Sequence, residues 1–481
     1  MTRKDFLKAS MAYAASVGLG PLSFAGWSQP SESPVRLRVG VVSDIHVSRL
    51  STKPETYAYG NSTTFRHALE WFDIQDVDAV VCAGDMSDRG TQEMLEICGR
   101  IWSEVFPGNR SRDGRPVEPI FIYGNHDSDS SWFDRCSGLL NGKTEEVCAR
   151  LKSSSISRNE ASAWKRAFGE DWSPIYLKRV KGYSFVCAHW GHERGLGEFL
   201  RQQEERGTIT AGRPFFCVQH PAPRGTIYGT HNLDADDGTA SGVLSKYPDA
   251  VSISGHSHIS CALETSIWQG AFTAIGASSL AYQSRFRDEV PSLNVGGSEW
   301  ASEDPRYPAA SSRSREGLLL TIYDDRLVVE RLEFVRDAKL GPDWVVPLGS
   351  RDVARPYAPA EVQRRLAVPA FPEEARLSVS VSKDVTTVAF PSALYSVDHA
   401  RCVWYELDVS DGTRTIHRAR IMADEFFAPL GVRHGDVRFF LDNAECPHDR
   451  KLRFEVRARD IFGRKSDALC SGNSSYVVTN E

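Results

Sequence analysis

Five short polar blocks constrain this chain more than any other feature of it: Asp44-Ile45-His46, Gly84-Asp85-Met86-Ser87-Asp88-Arg89, Gly124-Asn125-His126-Asp127, His220-Pro221 and Gly255-His256-Ser257-His258. Each sits at or just past a short apolar run: Val35 to Val42, Val77 to Ala83, Pro119 to Tyr123, Pro214 to Val218 and Ala250 to Ser254. Runs of this length and composition predict β-strands. A series of strand ends would then deliver carboxylate, imidazole and amide groups to one rim, where a pair of divalent cations could sit. Two cations held close together repel, so such a site calls for anionic ligands and preferably a shared one. Asp85, after the apolar run ending at Gly84, is the best placed to be shared, and Gly84 lets the backbone turn sharply there.

Between these blocks the pattern alternates. Helical spacing over Thr64 to Phe72 and Gln92 to about Val105 separates the strands, and Tyr183 to Ala188 and Phe272 to Ile275 continue the series. Residues Leu318 to Tyr323 and Leu327 to Phe334 read as a closing hairpin, so the class is α/β, in layers. The block order D-x-H, G-D-x-x-D, G-N-H-[DE], H and G-H-x-H resembles the calcineurin-like metallophosphoesterase family. The resemblance implies a four-layer fold, two stacked mixed β-sheets flanked by helices, with a dinuclear metal centre at one edge. It assigns Asp44, His46, Asp85 and His258 to the first metal, and Asp85, Asn125, His220 and His256 to the second. A mixture of imidazole, carboxylate and amide suits Fe, Mn or Zn better than Mg or Ca.

The same resemblance implies hydrolysis of a phosphoric ester by a metal-activated water. His126 would assist the leaving oxygen, held by a carboxylate such as Asp127 or Asp44. Asp88 is expected to accept a hydrogen bond behind a ligand, and Arg89 to be structural or to face phosphate. A phosphodiesterase is the expected activity. The alternative is a phosphomonoesterase acting on a nucleotide, sugar-phosphate or phosphoprotein, and the distant alternative is a non-catalytic binding protein. His189 and His192 could line the substrate pocket or be ordinary loop residues, and His231 could belong to a lid. Phe121, Trp190 and Tyr228 could stack on a ring of the substrate, although Phe121 is better placed for the core. The long polar segments Arg49 to Ser62, Ser128 to Lys165 and Ser284 to Arg313 would shape specificity.

At 481 residues the chain is too long for one core. Residues 1–33 read as an export signal: a basic start through Lys8, an Ala- and Gly-rich apolar run, and small residues around Ala25. The start resembles the twin-arginine pattern R-R-x-F-L-K, with Lys4 at the second arginine, and Sec export is the other route. The expectation is an exported protein, periplasmic or cell-surface/secreted. Apart from this segment, if it is retained as an anchor, no stretch is apolar enough to span a bilayer. Residues 34–340 form the expected catalytic domain, 341–375 a Pro-rich linker, and 376–481 an all-β sandwich. The alternation of Val403, Tyr405, Leu407 and Val409, and of Leu452, Phe454 and Val456, carries that last reading. The stretch Leu452 to Asp460 resembles the penultimate strand of fibronectin type III domains, with Leu452 where tyrosine is usual. Cys82, Cys187 and Cys217 read as core residues, while Cys136 with Cys148 and Cys446 with Cys470 could bridge. The net charge of −6 offers no nucleic-acid-binding footprint. The partner expected is a phosphate-ester substrate, and the sequence names no protein or glycan for the C-terminal domain.

Overall fold

The computed structural model describes residues 33–47, 57–128, 149, 153–228, 235–284, 286–287, 290–291, 314–349, 354–394, 396–423, 428, 435–444, 451–471 and 477–478. The export-signal reading, the long loops in large part, His231 and the cysteines Cys136, Cys148 and Cys446 lie outside them. The chain divides into two compact units between Pro359 and Ala360.

The first unit holds two mixed sheets. In one, β1 (Leu37–Val42), β2 (Ala79–Cys82) and β3 (Glu118–Phe121) run parallel. In the other, β4 (Ile175–Val180), β5 (Tyr183–Ala188), β6 (Phe215–Val218), β7 (Ala250–Ser254), β8 (Ile267–Gln269) and β9 (Thr273–Gly276) pair in the order β4-β5-β6-β7-β9-β8. The middle of that sheet, β5, β6, β7 and β9, is parallel and its two edges are antiparallel. After a two-residue ribbon, β10 (Phe286–Arg287) with β11 (Val290–Pro291), the chain returns to the first sheet. There β12 (Glu316–Ile322) pairs antiparallel with β1 and with β13 (Arg326–Glu333).

Helix periodicity explains what covers the first sheet. In α1 (Tyr57–Ile74), Phe65, Ala68, Leu69 and Phe72 fall at helical spacing and are fully buried. In α2 (Gln92–Val105), Met94, Leu95, Cys98, Ile101 and Trp102 do the same. Both stripes join Val42, Val80, Cys82 and Phe121 of the sheet in one core. The helix α1 begins earlier than its apolar pattern, with Asn61, Ser62, Thr63 and Thr64 preceding Phe65. Asn61 there is buried, and its Nδ2 donates to the carbonyl of His46 at 3.2 Å.

Part of the proline-rich stretch 341–375 is extended and packs on the first unit. After β14 (Ala338–Lys339), Trp344–Pro347 forms β15 and pairs with β13, placing Val346 opposite Leu327. Trp344 is buried, with the Arg331 guanidinium 4.6 Å from its ring. Proline is tolerated here because Pro347 ends the strand. The first unit therefore runs past residue 340.

The second unit is all-β. One sheet orders β16 (Ser378–Val381), β17 (Val385–Pro391), β20 (Asp436–Asp442) and β23 (Val477–Val478) as β20-β17-β16-β23. The other orders β18 (Trp404–Ser410), β19 (Thr415–Met422), β21 (Arg453–Arg459) and β22 (Leu469–Cys470) as β19-β18-β21-β22. Inward residues of both sheets, among them Val388, Phe390, Tyr405, Leu407, Phe439, Phe454 and Val456, share one core. Among the described residues no helix is long and apolar enough to cross a membrane.

Candidate metal centre

Parallel strands end on the same side of a sheet, so the loops leaving β1, β2, β3, β6 and β7 gather at one rim. Asp44 and His46 come after β1, Asp85 after β2, Asn125 and His126 after β3, His220 after β6, and His256 and His258 after β7. Backbone hydrogen bonds tie these loops together. The amide of Asp44 donates to Gly84 O at 2.9 Å, that of His46 to Asp85 O at 3.0 Å, and that of Gly255 to His220 O at 3.0 Å. Asp44, His46, Asp85, His256 and His258 all adopt positive φ, between 50° and 68°. Left-handed backbone disfavours side chains with a Cβ, and strain of this kind concentrates where a function fixes geometry. Gly84 takes φ 102°, and a Cβ there would strike the His220 ring; a Cβ at Gly124 would strike the Asp85 carboxylate. Glycine is thus required twice, for the turn and for close approach.

The side chains meet around Asp85. Asp44, His46, Asp85 and His258 offer ligand atoms within 4.8 Å of one another, and so do Asp85, His220 and His256. Asn125 joins the second group, its Oδ1 3.2 Å from His220 Nε2. A third group, His46, Asp88 and His126, adjoins the first. Asp85 Oδ1 accepts from the His126 amide at 2.8 Å. Asp85 Oδ2 is buried without a hydrogen-bond donor, while His220 Nε2, His46 Nε2 and His126 Nε2 lie 3.2, 3.7 and 4.0 Å away.

The imidazoles share one orientation. His220 Nδ1 donates to Ala83 O at 2.6 Å, His258 Nδ1 to Tyr282 O at 3.0 Å, and His126 Nδ1 to Asp88 O at 3.0 Å. His46 Nδ1 faces Asp88 Oδ1 at 3.6 Å. With the proton committed outward at Nδ1, the Nε2 lone pairs of these rings are directed into the cluster. His46 Nε2 and His258 Nε2 lie only 3.1 Å apart, and His258 Nε2 lies 3.0 Å from Asp44 Oδ1. Converging lone pairs and an orphan carboxylate oxygen are what cations require, so these residues fit a metal pair.

The electrostatics agree. Burial opposes charge on Asp85, yet the imidazoles of His220, His126 and His46 hold its carboxyl well below the usual range. Burial likewise opposes charge on His220, but the Asp85 and Asp44 carboxylates draw its pKa up to about 10. Burial, aided by His220, pushes His256 down to about 3. Burial also takes His126 down to about 4, against the pull of Asp85. Two buried carboxylates thus set a strongly negative local field inside a chain of modest net charge.

Some residues have other jobs than the sequence suggested. Asp127 does not hold His126. It accepts from Gly124 N, Met86 N, Ser87 N and Ser87 Oγ at 2.7–3.1 Å, pinning the second block to the third. The Asp88 carbonyl orients His126 instead, while the Asp88 carboxylate faces His46 and Arg89. His189 is not a pocket residue: its Nδ1 accepts from Tyr123 N at 2.9 Å, and Tyr123, Trp164, Trp172 and Tyr176 surround its ring. Phe121 and Tyr228 are buried, whereas Trp190 is half-buried beside His220 and His256. Glu316 had no sequence signal. Wholly buried, it accepts from Ser260, Ser278 and Ser314 hydroxyls at 2.8–2.9 Å and from Cys261 N at 2.9 Å, anchoring the segment after His258.

Residues 37–260 match the family model for calcineurin-like phosphoesterases, just under half of the chain. Comparison with curated protein sequences gave no significant match. Among solved structures, a dimetal phosphatase from Danio rerio aligns at 11% identity over 66% of this chain and 100% of that one, with a TM-score of 0.36. Purple acid phosphatase PPD1 from yellow lupin (Lupinus luteus) aligns at 11% identity over 69% of this chain and 57% of that one, with a TM-score of 0.39. GAP50 of Plasmodium, an anchor in the inner membrane complex, aligns at 11% identity over 66% and 91%, with a TM-score of 0.36. With the family match falling on the five motif blocks, residues 37–260 form a calcineurin-like metallophosphoesterase domain, and the enzyme class is that of a phosphoric ester hydrolase.

Proposed function

We propose that this protein is an exported, dinuclear-metal phosphodiesterase. The observation that carries the proposal is the convergence of Asp44, His46, Asn125, His220, His256 and His258 on the orphan oxygen of Asp85. Asp44, His46, Asp85 and His258 would hold one cation, and Asp85, Asn125, His220 and His256 the other, with Fe, Mn or Zn favoured by the donor set. Such a pair, when bound, supplies Lewis acidity toward the phosphoryl oxygens and lowers the pKa of the attacking water. The protein's own part is to fix this geometry. The Ala83, Tyr282 and Asp88 carbonyls hold His220, His258 and His126 so that Nε2 faces inward. His126, when protonated at Nε2 as well as at Nδ1, would be placed to donate to the departing alcohol oxygen.

The choice of diester over monoester rests on charge. Among the described residues of these loops, Arg89 pairs with Asp88 at 3.1 Å and Arg194 with Asp237 at 3.4 Å. A singly charged diester suits such a rim better than a dianionic monoester. The second unit, with three antiparallel strands β16, β17 and β20 in one sheet and β19, β18, β21 and β22 in the other, supports a fibronectin type III-like reading.

The test combines metal analysis of the purified protein with parallel assays on bis-p-nitrophenyl and p-nitrophenyl phosphate. The diester should be hydrolysed faster. Asp85→Asn should lose metal and activity together, and His126→Ala should keep its metal while turnover falls by about 10²–10⁴. A faster monoester reaction would move the assignment to a phosphomonoesterase. Wild-type rates in both variants would refute the roles given to these residues.

A further inference from the structure

One aromatic side chain at the rim packs beside the cluster without offering it a metal-ligating atom. Trp190 is the second residue after β5. Its amide donates to Tyr123 O at 3.1 Å, and the Tyr123 amide donates to Nδ1 of the preceding His189 at 2.9 Å. Two hydrogen bonds therefore fix this short segment to the chain two residues before Asn125. His189 turns inward among its four aromatic neighbours, and Trp190 turns the other way. Gly191, at φ 83°, then leads the chain off.

The indole lies with its ring centroid 5.2 Å from that of His256 and 5.9 Å from that of His220. Both imidazoles belong to the group around Asp85 that includes the proposed second cation site. The large aromatic residues of the core, such as Phe65, Phe72, Phe106 and Phe121, are fully buried, whereas Trp190 keeps part of its surface in solvent. It is a flat apolar wall beside a polar cluster.

We propose that Trp190 is a specificity-determining residue, its indole being the surface on which a planar aromatic group of the phosphate ester stacks. This rests on the phosphoester reading above and deepens it: the favoured substrates are esters of aryl alcohols or of nucleosides. Stacking against indole is tolerant of the identity of the ring, because every base or arene offers a π face. A lipid ester fits less well. Among the described residues the exposed large apolar side chains are Val35, Val335, Val368 and Leu394, none of them in the loops that carry the site. Among the described residues, an acyl chain would find no apolar track there.

The test is calorimetric binding of adenosine 5′-monophosphate and of ribose 5-phosphate to the full-length protein, with metal content measured alongside. The two ligands share the phosphate and differ in the base. The wild type should bind the nucleotide about tenfold or more tightly than the sugar phosphate. Trp190→Leu should bring that ratio close to one with its metal content intact, and Trp190→Phe should restore most of it. A ratio near one in the wild type would overturn the proposal. So would a Trp190→Leu variant that weakens both ligands equally, since that marks a residue which merely supports His220 and His256. The ratio is independent of turnover. A protein that shows it yet hydrolyses no ester refutes the hydrolase reading alone, and one that hydrolyses esters without it refutes the role of Trp190 alone.

Discussion

The two units handle charge in opposite ways. In the first, Asp44, Asp85, His46, His220 and His258 are all at most 1% exposed, packed against one another. In the second, the core is apolar, one wholly buried carboxylate, Asp460, pairs with Arg464 at 2.7 Å, and the larger ion cluster stays at the surface. There Glu406 meets Arg459, Arg420 and Lys465 at 2.7–3.0 Å, with the four side chains 15–48% exposed. Burying ionisable groups is costly unless other groups or ions compensate. A fold that does so with five side chains, and with all of Asp44, His46, Asp85, His256 and His258 in left-handed backbone, spends stability on a site. Among the described residues the second unit has no comparable group of His, Cys, Asp or Glu.

The sharpest way to break that comparison is to damage the second unit alone. Phe454, the second residue of β21, is fully buried. Phe454→Ala should lower the stability of the second unit by about 3–5 kcal/mol, seen as an earlier transition in calorimetry. At a temperature where both units remain folded, kcat/KM for the diester should be unchanged. A loss of turnover in step with the loss of stability would show that the sandwich takes part in catalysis.

The same contrast explains what could be read in the sequence. Alternation named Val403, Tyr405, Leu407, Val409, Leu452, Phe454 and Val456, and all are buried, because a two-sheet core obeys period two; around β16, Val381 is buried while Leu377 and Val379 are half-buried. The five polar blocks stood out for another reason: few side chains can hold a cation, and short loops after each strand restrict their spacing. The supports were not legible. His220, His258 and His126 are oriented by backbone carbonyls of Ala83, Tyr282 and Asp88, which any residue would supply. Glu316 binds hydroxyls at positions 260, 278 and 314, close only after folding. Asp127 was legible as part of a motif and misleading as to its role, since its donors come from a block about forty residues earlier. In the linker, Trp344–Pro347 joined the first sheet because a strand partner, not composition, decides such a segment.

A smaller effect separates the buried imidazoles of the first unit from each other. His189 ligates nothing, and burial with His192 nearby lowers its pKa to about 3. The folded state therefore prefers the neutral ring, and the unfolded state takes up a proton below its ordinary value near 6.5. Unfolding binds the extra proton, so stability is complete above about pH 6.5 and is lost as the pH falls from there toward 3. Between pH 7.5 and 5 this one residue should remove about 2 kcal/mol. His189→Gln, whose side-chain oxygen can still accept from Tyr123 N, should shrink the drop in melting temperature of the first unit over that interval. An undiminished drop would place the acid sensitivity elsewhere.

The smallest effect lies in the surface cluster, and it tests whether the second unit's charges are cheap as the comparison requires. Burial raises the Glu406 carboxyl, but hydrogen bonds from Lys465 and Arg459 and the charge of Arg420 bring it below its usual value. Its stabilisation is thus present above the unfolded pKa, about 4.5, and disappears as the pH falls through the folded value. Three cations compete for one carboxylate at the solvent boundary, where screening limits each pair. Glu406→Gln should cost less than about 1 kcal/mol at neutral pH, less still in 1 M salt, and less again as the pH falls through the folded value of the carboxyl. Thermal melts of the two proteins across that pH and salt range measure the difference. A cost that survived both acid and salt would mean that the amide fails for steric or hydrogen-bonding reasons. A cost of several kcal/mol would put Glu406 in the same energetic class as the carboxylates of the metal centre, and the contrast between the two units would no longer hold.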